Sequence, residues 1–366
     1  MNSELKPKLT GENSRRDFIQ KIGTVAAAST VAVNATAAQQ PPAPSRRPGR
    51  GPVIVEPGPL SKQPMPTIRL GKHNVGRLIL GINPIGSHFS EVLGREYNAW
   101  NTPERQVQAL KHCEELGINL RVQTRDQILR YNKEHGGKML FSSSMEYPIG
   151  QSTADIVKQV KTMAALGPIT IHMDAGGEGS FDGMYRRGEL NKVREWAKIV
   201  KDTGVMVALS GHIPEAFMQV ESEGWDVDYF MTALYQFGRT HAEWETLFKS
   251  NPDLAPLQVG EPPTEGDSEF YGGQSVWLRG DPAKMLKVVK QVKKPCLVFK
   301  LLASGNLMGN AQPQQAQATV EARFKYVFEN IKSTDAVVVA MWNKYEDQYA
   351  LNKEYVIKYG GSSIKV

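Results

Sequence analysis

The stretch from Val205 to Tyr235, VMVALSGHIPEAFMQVESEGWDVDYFMTALY, constrains this chain more than any other. Val205–Leu209 is a short apolar run with β-branched residues, so it reads as a buried strand. Ser210-Gly211-His212 breaks the run. Pro214 suits a first helical turn, and Glu215 complements the positive end of that helix. The helix continues to Glu223, and Gly224 stops it. Asp226–Leu234 then returns as a second buried strand. Strand, turn, helix, strand is a βαβ unit, which demands a parallel sheet covered on both faces.

The body of the chain repeats that unit. The strands expected are Arg77–Ile82, Ile118–Thr124, Lys138–Ser143, Ile169–Asp174, the two above, Cys296–Leu302 and Ala336–Met341. The helices between and after them are Pro103–Leu116, Arg125–Glu134, Thr153–Leu166, Glu189–Asp202, Asp281–Lys293, Gln317–Ile331 and Tyr345–Lys358. Eight strands, each followed by a helix, predict a (β/α)8 TIM barrel over residues 66–366. Ahead of it, MPTIRLGKHNVGRLILG predicts an N-terminal β-hairpin that turns near Asn74 and Gly76. A doubly wound open sheet is the rival, but Gly81-Ile82-Asn83-Pro84-Ile85-Gly86 lacks its G-x-G-x-x-G phosphate turn. Residues Gln236 to Gly280 form a long excursion, and insertions of that length are usually functional.

The formal charge of +6 is concentrated ahead of the barrel. Residues 1–38 and the stretch to Pro66 contribute most of it, through Lys6, Lys8, Arg15, Arg16 and Lys21, then Arg46, Arg47, Arg50 and Lys62. The near-neutral body argues against a nucleic-acid partner. Ser14-Arg15-Arg16-Asp17-Phe18-Ile19 resembles a twin-arginine export motif. A weakly apolar stretch and Ala35-Thr36-Ala37 follow it, as in a cleaved signal. Residues 1–38 are therefore expected to be a signal read by the twin-arginine translocase, with a periplasmic or extracellular destination. The apolar stretch is too short to span a bilayer. Residues 39–65, rich in Pro and Gly, read as a linker. Cys113 and Cys296 stand in patterns of helix and strand and are expected to be buried free thiols.

Taken in order, TIRLGKHNVGRLILG, EELGINL, ALSGHIPE with DVDYFMTALY, KPCLVFKLLASGNLMG and VVVAMWNKYEDQYALN resemble successive parts of the aldo/keto reductase family. That resemblance implies reduction of a carbonyl or sugar with NADP(H), with a tyrosine, lysine, aspartate and histidine doing the proton chemistry. It implies cofactor contacts at Ser210, Phe299, Ser304, Gly305, Asn306, Asn343 and Lys344. The catalytic set departs from the family pattern. Arg121-Val122-Gln123-Thr124 stands where its aspartate belongs, Ser142-Ser143-Ser144 where its lysine belongs, and His172 falls early for its histidine. Tyr131, in LRYNKEH, reads as an ordinary helix residue.

The residues themselves nominate another set. His172 and Asp174 are two apart on a strand and share a face. They read as base and partner, as ligands of a divalent metal, or as a solvated strand end. His212 follows the fifth strand as a ligand or a cap. Lys300 interrupts the apolar CLVFKLL; alternation places it with Cys296, Val298 and Leu302 and predicts an ammonium at the barrel mouth near Asp174 or another carboxylate. Glu146 and Tyr147 follow the third strand. Tyr235, Trp244, Tyr271 and Trp277 populate the excursion and suit either sugar stacking or loop packing. Three functions remain open: an NADP-dependent oxidoreductase, a redox-free metal-dependent isomerase or lyase acting on a sugar, and a carbohydrate-binding barrel without chemistry.

Overall fold

The computed structural model describes residues 61–82, 91–123, 125–236, 239, 241–250, 256–257, 277–305, 307 and 313–361. The expected signal and almost all of the linker lie outside these residues, as do Asn306 and Tyr271. The chain divides into two units. One comprises residues 52–240 and 257–366; the other comprises residues 1–51 and 241–256.

The larger unit is a closed barrel of eight parallel strands. A hairpin of β1 (Thr67–Leu70) and β2 (His73–Gly76) precedes it. The barrel strands are β3 (Leu78–Leu80), β4 (Leu120–Val122), β5 (Leu140–Met145), β6 (Thr170–Met173), β7 (Met206–Gly211), β8 (Tyr229–Ala233), β9 (Cys296–Phe299) and β10 (Ala336–Val339). They neighbour one another in that order, and β10 closes onto β3. The helices of this unit are α1 (Glu91–Trp100), α2 (Pro103–Glu115), α3 (Arg125–His135), α4 (Thr153–Ala164), α5 (Phe181–Arg186), α6 (Leu190–Lys201) and α7 (Pro214–Ser222). They continue as α8 (Asp281–Gln291), α9 (Pro313–Phe328) and α10 (Gln348–Gly360). The helix His241–Ser250 belongs to the smaller unit. No described helix is long and apolar enough to cross a membrane.

Two apolar cores follow from strand alternation. Phe141, Ile171, Val207, Phe230, Val298 and Val337 point outward and pack under the helices. Ile79, Leu120, Ala208, Tyr229, Leu297 and Val338 point inward. Ile68, Leu70 and Val75 of the hairpin join that inner core and stopper one end of the barrel. Burying each such side chain contributes roughly 1.5–3 kcal/mol. The hairpin turns at Gly71-Lys72 and not near Asn74 and Gly76, which both lie in β2. Gly71 supplies the left-handed backbone (φ 53°) that this tight turn uses.

Three described helices depart from the sequence expectation: α1, α5 and, within the excursion, His241–Ser250. α1 follows a segment with no clear apolar period. α5 sits in what reads as a Gly-rich loop, yet Ser180 caps it by accepting from the Gly183 N–H at 3.0 Å. Its inward face, Phe181, Asp182 and Met184, is buried. Cys113 and Cys296 are buried free thiols, as expected.

Candidate active site at the barrel mouth

A cavity of about 470 Å³ opens at the C-terminal ends of the strands. That end carries the chemistry of barrel enzymes because eight loops converge there on one rigid rim. Gly81 and Ile82 after β3, Gln123 after β4, Asp174 after β6, Ser210 and His212 of β7 and its turn, and Phe299 and Lys300 at the end of β9 all line it. A side lobe reaches Ala316, Gln317 and Val320 of α9 and Leu351, Asn352 and Tyr355 of α10. Gly81 keeps the β3 rim open, since a Cβ there would lie 2.9 Å from the Ala340 backbone nitrogen.

His212 is the best-held group on this rim. Its Nδ1 lies 2.7 Å from Asp182 Oδ2, and both carboxylate oxygens accept from its backbone N–H at 3.0 Å. Pro214 opens α7 directly behind it, while Asp182 comes from α5. Gly211 makes the meeting feasible: a Cβ there would stand 2.7 Å from Asp182 Oδ1. Asp182 accepts from Nδ1–H, so the neutral ring keeps an unprotonated Nε2. Burial lowers the His212 pKa, outweighing the opposite pull of Asp182. The ring also meets Phe299 edge-on at 5.8 Å.

Lys300 reaches the mouth by a route that alternation does not provide. Cys296 and Val298 point outward under the helices, and strict alternation would send Lys300 with them. Lys300 instead adopts a left-handed backbone (φ 60°) and enters the cavity wall. The nearby carboxylate that opposes its discharge is Asp182, not Asp174. Burial brings its pKa down to about 8. The ammonium also stands 5.6 Å from the Trp277 ring centroid.

The described residues with positive φ other than glycine are Gln123, Lys300, Ala303 and Ser304. Three of them line the cavity, and Ala303 adjoins the third. Backbone of this kind costs of order 1–3 kcal/mol per residue and collects where function holds it.

The other expected residues fall into three groups. Ser210, Phe299, Ser304 and Gly305 line the cavity, and Asp174 does so too. His172 is wholly buried just behind the wall, where it meets Gln123; burial lowers its pKa to about 4 against the pull of Asp174. Asn343 and Lys344 do not line the cavity. Lys344 is bonded to Glu96 and lies over the Tyr345 ring at 4.9 Å. Glu146 accepts from the Gly179 N–H at 3.2 Å, outside the cavity wall. Tyr131 donates to Glu114 at 2.6 Å, as an ordinary helix residue would. Tyr235 packs edge-on against Trp277 at 5.4 Å, so these rings pack each other. Trp244 falls in the helix of the smaller unit.

Sequence reading missed Asp182 and Gln123. Asp182 lay in a stretch taken for loop, although Ser180 followed by an acidic residue is a helix-start signal. Gln123 carried no local signal, because its unusual φ comes from the tertiary structure. Among the described residues, no group of three or more His, Cys, Asp or Glu is placed to hold a metal ion.

No protein-family model matches the chain, and no curated protein matches it. Several solved structures resemble its backbone. Yersinia pestis DHPS shares 10% identity over 80% of this chain and 98% of its own, with a TM-score of 0.42. An aldo-keto reductase from Bacillus halodurans shares 15% over 82% and 92%, with a TM-score of 0.37. D-psicose 3-epimerase from Clostridium cellulolyticum H10 shares 11% over 76% and 96%, with a TM-score of 0.33.

Proposed function

We propose that this barrel is an enzyme that moves protons on a small hydroxy-carbonyl substrate, of the sugar class, bound at its mouth. The observation that carries the reading is the placement of Lys300 beside the His212–Asp182 pair in one cavity wall. His212 Nε2 takes the proton from the carbon next to the carbonyl, and the C–H electron pair becomes the double bond of an enediol. The carbonyl electrons move to oxygen, which receives the Lys300 proton. Return of the two protons with the carbons exchanged completes an isomerisation. Lys300 suits this role because its lowered pKa brings the acid close to neutral pH. Asp182 fixes the His212 tautomer and stabilises the imidazolium formed.

Reduction with NADP(H) is the second reading. Ser210, Phe299, Ser304 and Gly305 in the cavity wall favour a nicotinamide at the mouth. The charges along the wall count against the rest of the molecule. Among the described residues that line the cavity, the carboxylates of Asp174 and Glu346 are set against one lysine, Lys300, and Lys344 is engaged by Glu96. A dinucleotide phosphate brings several negative charges and needs cations or helix N-termini to meet them. Among the described residues the cavity wall does not supply them.

The test is proton exchange. Dihydroxyacetone, D-fructose and D-tagatose are incubated with the protein in D2O and followed by NMR. Loss of the C–H signal beside the carbonyl, abolished in Lys300→Met, supports the reading. Exchange that survives in Lys300→Met and in His212→Gln overturns it. Quenching of NADPH fluorescence with micromolar affinity would move the weight to reduction.

A further inference from the structure

We infer that Gln123 is a substrate-binding residue, its amide oxygen held toward the cavity as the acceptor for a substrate hydroxyl by Asp174 beside it and His172 behind it. The inference rests on the mouth being the substrate site. Gln123 Nε2 lies 3.4 Å from Asp174 Oδ1 and 3.5 Å from His172 Nε2. A carboxylate oxygen accepts, so the group facing Asp174 is the amide NH2. The same NH2 faces His172, whose Nε2 therefore accepts as well. With its nitrogen engaged twice, the amide has its oxygen left for the cavity that Gln123 lines. Asp174 is itself anchored, since its Oδ1 accepts from the Ala175 N–H at 2.7 Å.

The imidazole completes the argument. An accepting Nε2 on a neutral ring requires the proton on Nδ1. That nitrogen is buried and turned away from the mouth, without a protein partner among the described residues. The inward positions of the same wall carry hydroxyls. Ser142 and Thr170 are neighbours on β5 and β6, and Ala208, beside His172 on one strand and Tyr229 on the other, leaves room between them. The hydroxyl oxygens of Ser142, Thr170 and Tyr229 are buried in that wall. Ordered water bound to such hydroxyls would give Nδ1–H its acceptor. The left-handed backbone of Gln123 (φ 68°) brings its side chain into this arrangement.

Across the cavity, Lys300 donates and Gln123 accepts. A carbonyl oxygen paired with a neighbouring hydroxyl matches that polarity, and a plain ketone does not. The experiment has two arms. Long-range 1H–15N NMR of the histidine-labelled protein, with signals assigned by substituting the other histidines in turn, reads the His172 tautomer in the unsubstituted protein. Nδ1–H with a bare Nε2 is expected; Nε2–H overturns the inference. In the second arm, dihydroxyacetone and acetone are titrated as probes. Dihydroxyacetone is expected to bind at least about tenfold more tightly, and Gln123→Leu to remove that preference. An equal affinity for the two probes, or a preference that persists in Gln123→Leu, overturns it. If the preference is found but no proton exchange occurs, the proposed chemistry fails and the Gln123 assignment stands.

Discussion

His212 Nδ1 lies 2.7 Å from Asp182 Oδ2, and both side chains are buried. A carboxylate from one βα unit thus orients an imidazole from the next. Asp182→Asn keeps the shape and replaces the acceptor facing Nδ1–H. A hydrogen bond to a charged group contributes about 1.5–3 kcal/mol, and a loss of that size is expected in urea denaturation. Proton exchange should fall with it, by about a hundredfold, the scale of a general-base contribution.

Gly211 is where that pair is most easily disturbed. A Cβ there would also stand 2.9 Å from Phe181 Cδ1. Both neighbours are packed and cannot swing away. Gly211→Ala is expected to destabilise the fold by about 1–3 kcal/mol. Gly224→Ala is the control: a Cβ there meets nothing within 4 Å, so only its left-handed backbone (φ 64°) is penalised. Comparison of the pH dependence of exchange separates the two, because only Gly211→Ala should shift the His212 limb.

Lys300 is expected to set the alkaline limb of the proposed proton exchange. Burial lowers its pKa to about 8, so the acid loses its proton as pH rises through that value. Exchange should decline above it. At neutral pH the half-buried ammonium is partly desolvated, so Lys300→Met is expected to fold about as firmly as the unsubstituted protein while losing exchange. Equal stability and unchanged exchange would remove Lys300 from the site. Lys300→Arg keeps the charge and fixes it against deprotonation, and should abolish the alkaline limb together with the activity.

His172 makes the fold sensitive to acid. Its pKa of about 4 lies below the ordinary histidine value of 6.5. Between those values the unfolded chain binds more protons, so stability is present above pH 6.5 and drains as pH falls toward 4. The loss expected is on the order of 3 kcal/mol. Thermal unfolding across that window should show it, and His172→Gln should flatten the slope. A slope unchanged by the substitution would assign the acid sensitivity to other groups.

We propose that the N-terminal residues direct export, on the strength of Arg15, Arg16 and the apolar stretch that follows. Substituting both arginines by lysine should retain an unprocessed protein in the cytoplasm. Fractionation that finds the double variant exported and shortened as before would exclude the twin-arginine route.

The barrel was legible in the sequence because its cause is periodic. Eight short β-branched runs, separated by amphipathic segments of helical length, have few ways to bury both faces of a sheet, and closure is one of them. The inward alternation of His172 and Asp174 was legible for the same reason. The site was not, because its geometry depends on departures from period. Lys300 and Gln123 reach the cavity through left-handed backbone that no local residue announces. Asp182 meets His212 across thirty positions of chain, and only the absence of a Cβ at Gly211 leaves it room. Lys344 has a charge that suits a phosphate, yet Glu96 from a distant helix engages it first. Sequence alone therefore determined which residues must be buried together. Tertiary packing decided which polar groups meet, because hydrogen bonds and charges act over a few ångströms that chain order does not encode.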